Sequence, residues 1–211
     1  MITNPNIEAY LEELSSVKDP VVTEMERYAE SIGFPIIGPL VGQLLKSLVM
    51  LKGARRILEC GGGYGYSAIW MAPALPPDGQ IVSIDYSEEN SARGRAFLDE
   101  AGLGDRVTFL SGDVMQLVPE LDGEFDLILN DVDKHFYPTL LPMMLKKLRT
   151  GGLLVSDNVL WSGRVLESNP DETTKAVMDY NRLLYNSPYF ETTIIPLRDG
   201  IALSLKKDES V

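Results

Sequence analysis

The sequence predicts an α/β protein whose mostly parallel sheet is covered by helices on both faces. Five short apolar runs lie between residues 55 and 157, and helix-length segments separate them. Such alternation is typical of a parallel sheet that is buried on both sides. Two further strand-like runs flank Asp199-Gly200, a dipeptide that favours hairpins, so an antiparallel pair should end the sheet.

Each element follows from a local pattern. Helical spacing of apolar residues predicts one helix over 7–32, and a second helix follows the Gly/Pro-rich loop "GFPIIGP" and ends near Gly53. The predicted strands are 55–60, 80–85, 106–112, 125–131 and 152–157, and the predicted helices between them are 65–72, 88–101, 114–120 and 138–148. The predicted C-terminal hairpin joins 189–197 to 200–207.

The composition limits the class of protein. The chain has 211 residues and a formal charge of −12, which suits one domain and gives nucleic acid no basic surface to bind. No apolar run approaches the ~20 residues of a membrane span, and the acidic N-terminus does not resemble a signal peptide. The single Cys60 cannot form an internal disulfide. We therefore expect a cytoplasmic protein that binds neither nucleic acid nor membrane.

The glycines after the first strand predict a nucleoside site. Gly61, Gly62, Gly63 and Gly65 allow a tight turn and a close approach to a ligand. The dinucleotide pattern needs another glycine where the chain has Tyr66, so a pyrophosphate cradle is disfavoured.

Two later strand ends add to this prediction. Asp85 ends the second strand, where an acid can accept hydrogen bonds from ribose hydroxyls. Gly112-Asp113, followed by Val114, forms the turn after the third strand. Glycines after strand one and acids after the next two predict a site for a nucleoside without phosphates.

Two neighbouring strands end in oxygen ligands. Asp131 follows the fourth strand, and Asp157 and Asn158 follow the fifth. If the strand order is 3-2-1-4-5, these residues converge at one edge of the sheet, and their oxygens suit Mg²⁺, Mn²⁺ or Ca²⁺. One cysteine and one histidine are too few for a zinc site. The alternative is that Asp157-Asn158 only caps a turn.

Three motifs carry a resemblance to a known family. "ILECGGGYGYSAIWMA", "DVDKHFY" and "SDNVLWSGRV" resemble those of the cation-dependent O-methyltransferases related to caffeoyl-CoA O-methyltransferase and catechol O-methyltransferase. The likeness runs from about Tyr10 to the end. It implies a Rossmann-like class I S-adenosylmethionine-dependent methyltransferase fold with strand order 3-2-1-4-5-7-6. It also implies a homodimer and a single domain, 1–211, in which helices of 1–53 cover the substrate side of a core at 54–211.

The resemblance also implies a ligand for each motif. S-adenosylmethionine would be the methyl donor, with Glu59 and Ser67 near its methionine part and Asp85 on its ribose. The implied cofactor-binding residues are Ile37, Glu59, Gly61, Gly62, Gly63, Ser67, Asp85, Tyr86, Asp113, Val114 and Asp133. The implied divalent-cation ligands are Asp131, Asp157 and Asn158. Lys134 matches the family's proposed general base and, with Asp131, forms the implied catalytic pair.

The chain departs from the family pattern at two positions. Gly62 stands where the family usually has a larger residue, commonly Thr, and Asn130 interrupts an apolar approach to Asp131. No basic cluster for coenzyme A is found, so the expected acceptor is a small catechol-like or phenolic molecule. Residues 33–40 and 161–170 are predicted to shape its pocket.

Two other functions remain open at this point. One is an NAD(P)-dependent oxidoreductase on a similar fold, although the missing glycine and the absence of a Tyr-x-x-x-Lys pair disfavour it. The other is a non-catalytic nucleoside-binding protein, since a fold alone does not establish function. His135 is expected to flank the donor site, Trp161 to pack or to form an acceptor wall, and Cys60 to be a small buried apolar residue.

Overall fold

The computed structural model describes residues 4–14 and 19–208, and its centre is a seven-stranded sheet. The strand order is β3-β2-β1-β4-β5-β7-β6, as the resemblance implied. Strands β1 to β5 pair in parallel, whereas β7 is antiparallel to both β5 and β6. The strands are β1 (Arg56–Cys60), β2 (Gln80–Asp85), β3 (Val107–Ser111), β4 (Phe125–Asn130), β5 (Leu148–Ser156), β6 (Phe190–Ile195) and β7 (Ile201–Lys206).

Helices cover both faces of this sheet. They are α1 (Pro5–Leu14), α2 (Pro20–Ile32), α3 (Gly38–Lys52), α4 (Tyr66–Met71), α5 (Glu88–Glu100), α6 (Val114–Glu120), α7 (Tyr137–Lys147) and α8 (Glu172–Tyr185). Successive residues of a strand face opposite sides, so Ile57 packs in one apolar layer with α2 to α5 and Leu58 in the other with α6 to α8. No helix in the described ranges has the length and apolar character needed to cross a membrane.

The register aligns the carboxyl ends of the central strands. Cys60 pairs with Ile84 of β2 and with Asn130 of β4, and Asn130 pairs with Ser156 of β5. The next residue of each strand therefore emerges at the same edge of the sheet. This register brings the glycine turn and the acidic strand ends together.

The N-terminal helix predicted over 7–32 is wrong, because the structure has two helices there. Pro20 begins α2, and the Asp19 carboxylate accepts hydrogen bonds from the backbone N–H groups of Val21 (2.8 Å) and Val22 (3.4 Å). Asp19 itself has extended backbone angles, so a helix cannot run through it. Part of the predicted segment, residues 15–18, lies outside the described residues.

Helix α8 was not predicted at all. Asp171 caps its first turn by accepting from the Thr174 N–H at 2.8 Å, and its buried face carries Val177, Tyr180 and Leu184. Strand β5 also begins four residues earlier than predicted, at Leu148, where its pairing with β4 is irregular. The other predicted strands and the C-terminal hairpin are confirmed.

Candidate active site

A cavity of about 630 Å³ opens at the carboxyl edge of the sheet. Of the residues predicted for donor, metal and catalysis, Glu59 alone does not line it. The lining includes Ile37, Gly61, Gly62, Gly63, Ser67, Asp85, Tyr86, Asp113, Val114, Asp131, Asp133, Lys134, Asp157 and Asn158. The strand register therefore gathers residues from four separate motifs around one space.

The glycine turn is held against the ends of two neighbouring strands. The N–H groups of Gly61 and Gly62 donate to the Ile84 carbonyl at 2.9 and 3.0 Å. Gly61 has a φ of 88°, and a Cβ there would collide with the Asp131 carbonyl. Glycine is required at position 61 on both grounds.

Asp85 organises the neighbouring turn. Its carboxylate accepts from the Gly63 N–H (2.9 Å), the Ser87 N–H (2.9 Å) and the Asn90 side-chain amide (3.0 Å). These bonds join the glycine turn to the end of β2. Asp113 plays a comparable local part after β3, since it caps α6 by accepting from the Met115 N–H at 2.8 Å.

Glu59 is a buried carboxylate directly behind the cavity wall. It accepts hydrogen bonds from Ser67 and from Ser83, the latter at 2.5 Å, and its side chain is fully buried. Burial raises the pKa of Glu59, while the two hydroxyls oppose that shift. Of this group, Ser67 reaches the cavity.

The acidic strand ends meet as predicted. The N–H of Asp131 donates to the Cys60 carbonyl (2.8 Å), and the N–H of Asp157 donates to the Asn130 carbonyl (3.1 Å). Asn158 has a φ of 56°, unusual for a residue other than glycine, and its N–H donates to its neighbour Asp157 at 2.8 Å. Asp157 and Asn158 thus do form a local turn, as in the alternative that they only cap one. That alternative does not explain why Asp131 lies beside them.

Two carboxylates share a poorly solvated space here. Burial raises the pKa of Asp157 to about 7, and the negative charge of Asp131 adds to the shift. Burial also raises the pKa of Asp131, against the opposing pull of the Lys134 ammonium. A bound cation would relieve this repulsion and favour both ionised forms.

Lys134 points into the same cluster. Its ammonium donates to Asp131 Oδ1 at 2.8 Å and to the Val132 carbonyl at 3.2 Å, and its side chain is only 11% exposed. It also lies 5.3 Å from the ring centre of Tyr137. Its neighbours in the chain, Asp133 and His135, are both exposed and both line the cavity.

The donor set fits a hard divalent cation better than zinc. In the described ranges, no group of three or more His, Cys, Asp and Glu side chains is arranged to hold a metal. The candidate set instead contains two carboxylates and one amide, all lining the cavity. Mg²⁺ commonly uses one or two carboxylates and completes its shell with water or substrate oxygens.

An apolar wall closes the side of the cavity nearest the N-terminal helices. It contains Phe34, Pro35, Ile36 and Ile37, which belong to the segment 33–40. Arg198, with a φ of 48°, fixes this wall by donating to the Ile36 carbonyl at 3.1 Å. No residue of 161–170 lines the cavity, and the half-buried Trp161 packs outside it.

Several lining residues were missed, although they lie within the predicted motifs. They are Tyr64, Tyr66, Ile84, Val132 and Phe136. Tyr66 donates to the Glu26 carboxylate of α2 at 2.6 Å, and burial and this carboxylate raise the pKa of Tyr66. Helical spacing at the start of α4 predicts that the Tyr66 and Ser67 side chains point in different directions. It does not predict that Tyr66 would contact Glu26 of α2.

The comparisons with known proteins point to one family. The model of the O-methyltransferase family matches residues 12–207. The chain is 31% identical over 214 residues to a catechol O-methyltransferase of Niastella koreensis, covering 96% of this chain and 97% of the relative. It is 33% identical over 175 residues to caffeoyl-CoA O-methyltransferase 1 of Eucalyptus globulus, covering 77% and 71%.

A solved structure shares the fold. The O-methyltransferase TomG of Streptomyces achromogenes, which is involved in tomaymycin synthesis and was solved in complex with SAM, has a TM-score of 0.88 and 29% identity, with 96% of each chain covered. Fold and site together define a methyltransferase of the Rossmann-like class. The chain belongs to the O-methyltransferase family. This membership disfavours both the oxidoreductase and the non-catalytic alternative.

Proposed function

We propose that this O-methyltransferase takes a methyl group from S-adenosylmethionine, depends on a divalent cation, and methylates a hydroxyl of a small catechol-like or phenolic acceptor. One observation carries the proposal. Asp131, Asp157, Asn158 and Lys134 line the same cavity as the glycine turn. A protein that only bound a nucleoside would not need a buried pair of carboxylates and a lysine beside its ligand.

The donor would lie over the glycine turn. The Asp85 carboxylate, already fixed by three hydrogen bonds, can accept from ribose hydroxyls. Ser67 would contact the methionine part, with Glu59 behind it as its hydrogen-bond acceptor. The remaining cofactor contacts are those that the resemblance implied, from Ile37 to Asp133.

Asp131, Asp157 and Asn158 would hold Mg²⁺, or Mn²⁺ or Ca²⁺, with carboxylate and amide oxygens. A divalent cation supplies Lewis acidity, which makes a nearby hydroxyl easier to ionise. The three side chains also fix where an acceptor oxygen can sit relative to the donor, because they belong to the ends of two adjacent strands. Such positioning contributes much of the rate in group transfer.

Lys134 would act as the general base. In its neutral amine form, its Nζ would take the proton of the acceptor hydroxyl. The acceptor oxygen would form a bond to the methyl carbon as the carbon–sulfur bond breaks, and the sulfonium would leave as neutral S-adenosylhomocysteine. The low exposure of the Lys134 side chain keeps water from competing for that position.

The acceptor class rests on two kinds of support. Relatives at 31% and 33% identity are named for catechol and caffeoyl-CoA. In this chain, the aromatic and aliphatic wall formed by Phe34, Ile36 and Ile37 suits a flat apolar ring. A small phenol is favoured because no basic cluster for a coenzyme A phosphate was found in the sequence.

The test is methyl transfer from labelled S-adenosylmethionine to a panel of catechols, with Mg²⁺ and with EDTA. We expect transfer that requires Mg²⁺ and is lost in Asp157→Ala, while Asp179→Ala on the exposed face of α8 retains it. A rate of methyl transfer that EDTA leaves unchanged would refute the proposed dependence on a divalent cation. Binding of S-adenosylhomocysteine without transfer to any catechol would refute the acceptor class.

We also propose a homodimer that uses the N-terminal helices. Large apolar side chains are exposed there, including Ile7 (54%), Leu14 (66%) and Met50 (64%). An open apolar groove lined by Leu11, Leu14, Leu40 and Leu44 adjoins them. Apolar surface of this kind is typical of protein interfaces. Light scattering after size exclusion should give a molar mass of twice the chain mass. The Leu14→Lys variant should have a lower molar mass. A monomeric wild-type protein would refute the proposal.

A further inference from the structure

One buried hydroxyl contacts both strand ends of the candidate cation site. Tyr137, the first residue of α7, donates to the Asp157 carbonyl at 2.9 Å and to the Asn130 carbonyl at 3.1 Å. Its side chain is fully buried. The single hydroxyl proton is shared between the carbonyl oxygen of the last residue of β4 and that of the residue that follows β5.

These two carbonyls belong to the peptides that carry the candidate ligands. The Asn130 carbonyl is part of the peptide that leads into Asp131. The Asp157 carbonyl is part of the peptide between Asp157 and Asn158. One hydroxyl therefore fixes the orientation of both peptide planes from which all three side chains extend.

The peptide between Asp157 and Asn158 especially needs such support. Asn158 has a φ of 56°, a conformation that side chains other than glycine adopt at a cost. Among the described residues, the hydrogen bond that the Asp157 carbonyl accepts beyond the strand ladder comes from Tyr137. Without that donor, the Asp157 carbonyl would lose this partner, and the peptide would be held from its other side by the bond that the Asn158 N–H donates to the Asp157 carboxylate.

The ring of Tyr137 is held as firmly as its hydroxyl. It packs edge-on against the ring of Tyr180, with 4.9 Å between centroids, and the Lys134 ammonium lies 5.3 Å from its centre. Burial, together with the charges of Asp131 and Asp157, raises the pKa of Tyr137, so the hydroxyl keeps its proton and remains a donor. The side chain thus holds the carbonyls of Asn130 and Asp157 with its hydroxyl while its ring lies beside Lys134 and Tyr180.

We propose that Tyr137 is the positioning residue of the cation site, and that its hydroxyl sets the relative placement of Asp131, Asp157 and Asn158. The proposal rests on the proposed function, because it presumes that these three residues hold a divalent cation. Outer partners that orient metal ligands typically change affinity by 10- to 100-fold when they are removed. The same is expected for the Tyr137 hydroxyl.

Tyr180 provides a matched control. It is also fully buried, on the adjacent helix, and its hydroxyl contacts Ser156 Oγ (2.6 Å) and the Asn130 side-chain amide (3.5 Å). Those partners are side chains and do not form the peptides of the candidate ligands. Tyr180→Phe therefore removes a second buried hydroxyl next to the same two strands, and it leaves the hydrogen bonds to both peptides in place.

The experiment measures Mn²⁺ binding by electron paramagnetic resonance and S-adenosylhomocysteine binding by calorimetry, in wild type, Tyr137→Phe and Tyr180→Phe. We expect the Mn²⁺ Kd to rise about 10- to 100-fold in Tyr137→Phe and by less than about threefold in Tyr180→Phe. The S-adenosylhomocysteine Kd should stay within about threefold in both, because the glycine turn does not contact either hydroxyl.

The outcomes separate this inference from the function on which it rests. A wild-type protein that binds no Mn²⁺ refutes the cation of the proposed function and the inference with it. Wild-type affinity in Tyr137→Phe, or an equal loss in both variants, refutes the positioning role alone. If Tyr137→Phe does not fold, 3-fluorotyrosine at position 137 in the otherwise native chain replaces it. Its ¹⁹F resonance should move with saturating Mg²⁺, and an unmoved resonance refutes the inference.

Discussion

The Ser83 hydroxyl lies where a side chain at position 62 would have to begin. A Cβ built on Gly62 collides with Ser83 Oγ and comes within 2.7 Å of a Glu59 carboxylate oxygen. Ser83 pairs in register with Glu59 and donates to it at 2.5 Å. The glycine that departs from the family pattern is thus matched by a serine on the neighbouring strand.

Gly62→Ala should therefore be destabilising for a steric reason. Gly62 is not among the glycines with positive φ, so the backbone tolerates a side chain, and we expect a loss of about 1–3 kcal/mol from overpacking. The loss should be smaller in a Ser83→Ala background, because the colliding oxygen is gone. Urea unfolding of the four proteins of this cycle measures the difference. Equal losses in both backgrounds would show that Ser83 is not the obstacle.

Lys134→Ala should lower kcat by about 10²- to 10⁴-fold, as expected for loss of a general base. The S-adenosylhomocysteine Kd should change little, since Lys134 contacts Asp131 and Val132 rather than the glycine turn. Steady-state kinetics across pH, with calorimetry, make the measurement. Lys146→Ala, an exposed lysine on α7, is the control and should retain activity. If turnover of Lys134→Ala were unchanged at every pH, Lys134 would not be the general base.

Without metal, the free energy of unfolding should fall as pH rises from about 4 to 7. The pKa of Asp157 is about 7 in the folded protein and near the ordinary 3.8 when unfolded. The folded state therefore holds a proton that the unfolded state has lost over this range, and stability present at low pH disappears as pH passes through 7. Urea unfolding in EDTA at several pH values tests this. Asp157→Asn should flatten the slope, and a slope of the opposite sign would contradict the assignment.

Metal affinity should follow the opposite trend with pH. Because ligation needs the ionised carboxylate, Mg²⁺ binding should release protons and strengthen as pH rises to about 7. Calorimetry in two buffers of different ionisation enthalpy counts the released protons. A binding constant that does not vary between pH 5 and 8 would mean that Asp157 is not a ligand.

Cys60 should resist thiol reagents in the native protein. Its side chain is fully buried at the end of β1, and burial raises the pKa of its thiol. Since the thiolate is the reactive form, a disulfide reagent should modify Cys60 only after unfolding. Absorbance at the released chromophore, with and without urea, measures this. Rapid modification in the folded state would show an opening of the sheet next to the glycine turn.

The central sheet could be predicted because each of its parallel strands is recognisable from a short, continuous stretch of sequence. Each strand is an apolar run that ends in glycine or acid, and the parallel arrangement places all of those ends at one edge. Cys60, Asn130 and Ser156 pair side by side, and this register brings the glycine turn and the acidic strand ends together. For that reason, the predicted lining residues could be placed in one cavity before the structure was known.

What could not be predicted depends on partners that are distant in the chain. Helix α8 has an ordinary cap at Asp171 but a polar, charge-rich sequence. Its role becomes visible only through the contacts of Tyr180 with Ser156 and Asn130 on β5 and β4. Asn130 looks misplaced in an apolar strand until Tyr180 is seen beside it at 3.5 Å. Tyr137 likewise follows a recognisable motif, yet nothing in the sequence indicates that its hydroxyl joins two strands.

The hydrogen bond from Arg198 to the Ile36 carbonyl joins residues 162 positions apart. During synthesis, the segment that contains Ile36 leaves the ribosome long before Arg198 exists. The donor side of the cavity is built from β1, β2 and β3, which are all made in the first 111 residues. The wall formed by Phe34, Pro35, Ile36 and Ile37 therefore cannot acquire its Arg198 partner until β1 to β5 have all been made. A chain cut before Arg198 would contain the glycine turn and the acidic strand ends but would lack the donor that fixes this wall.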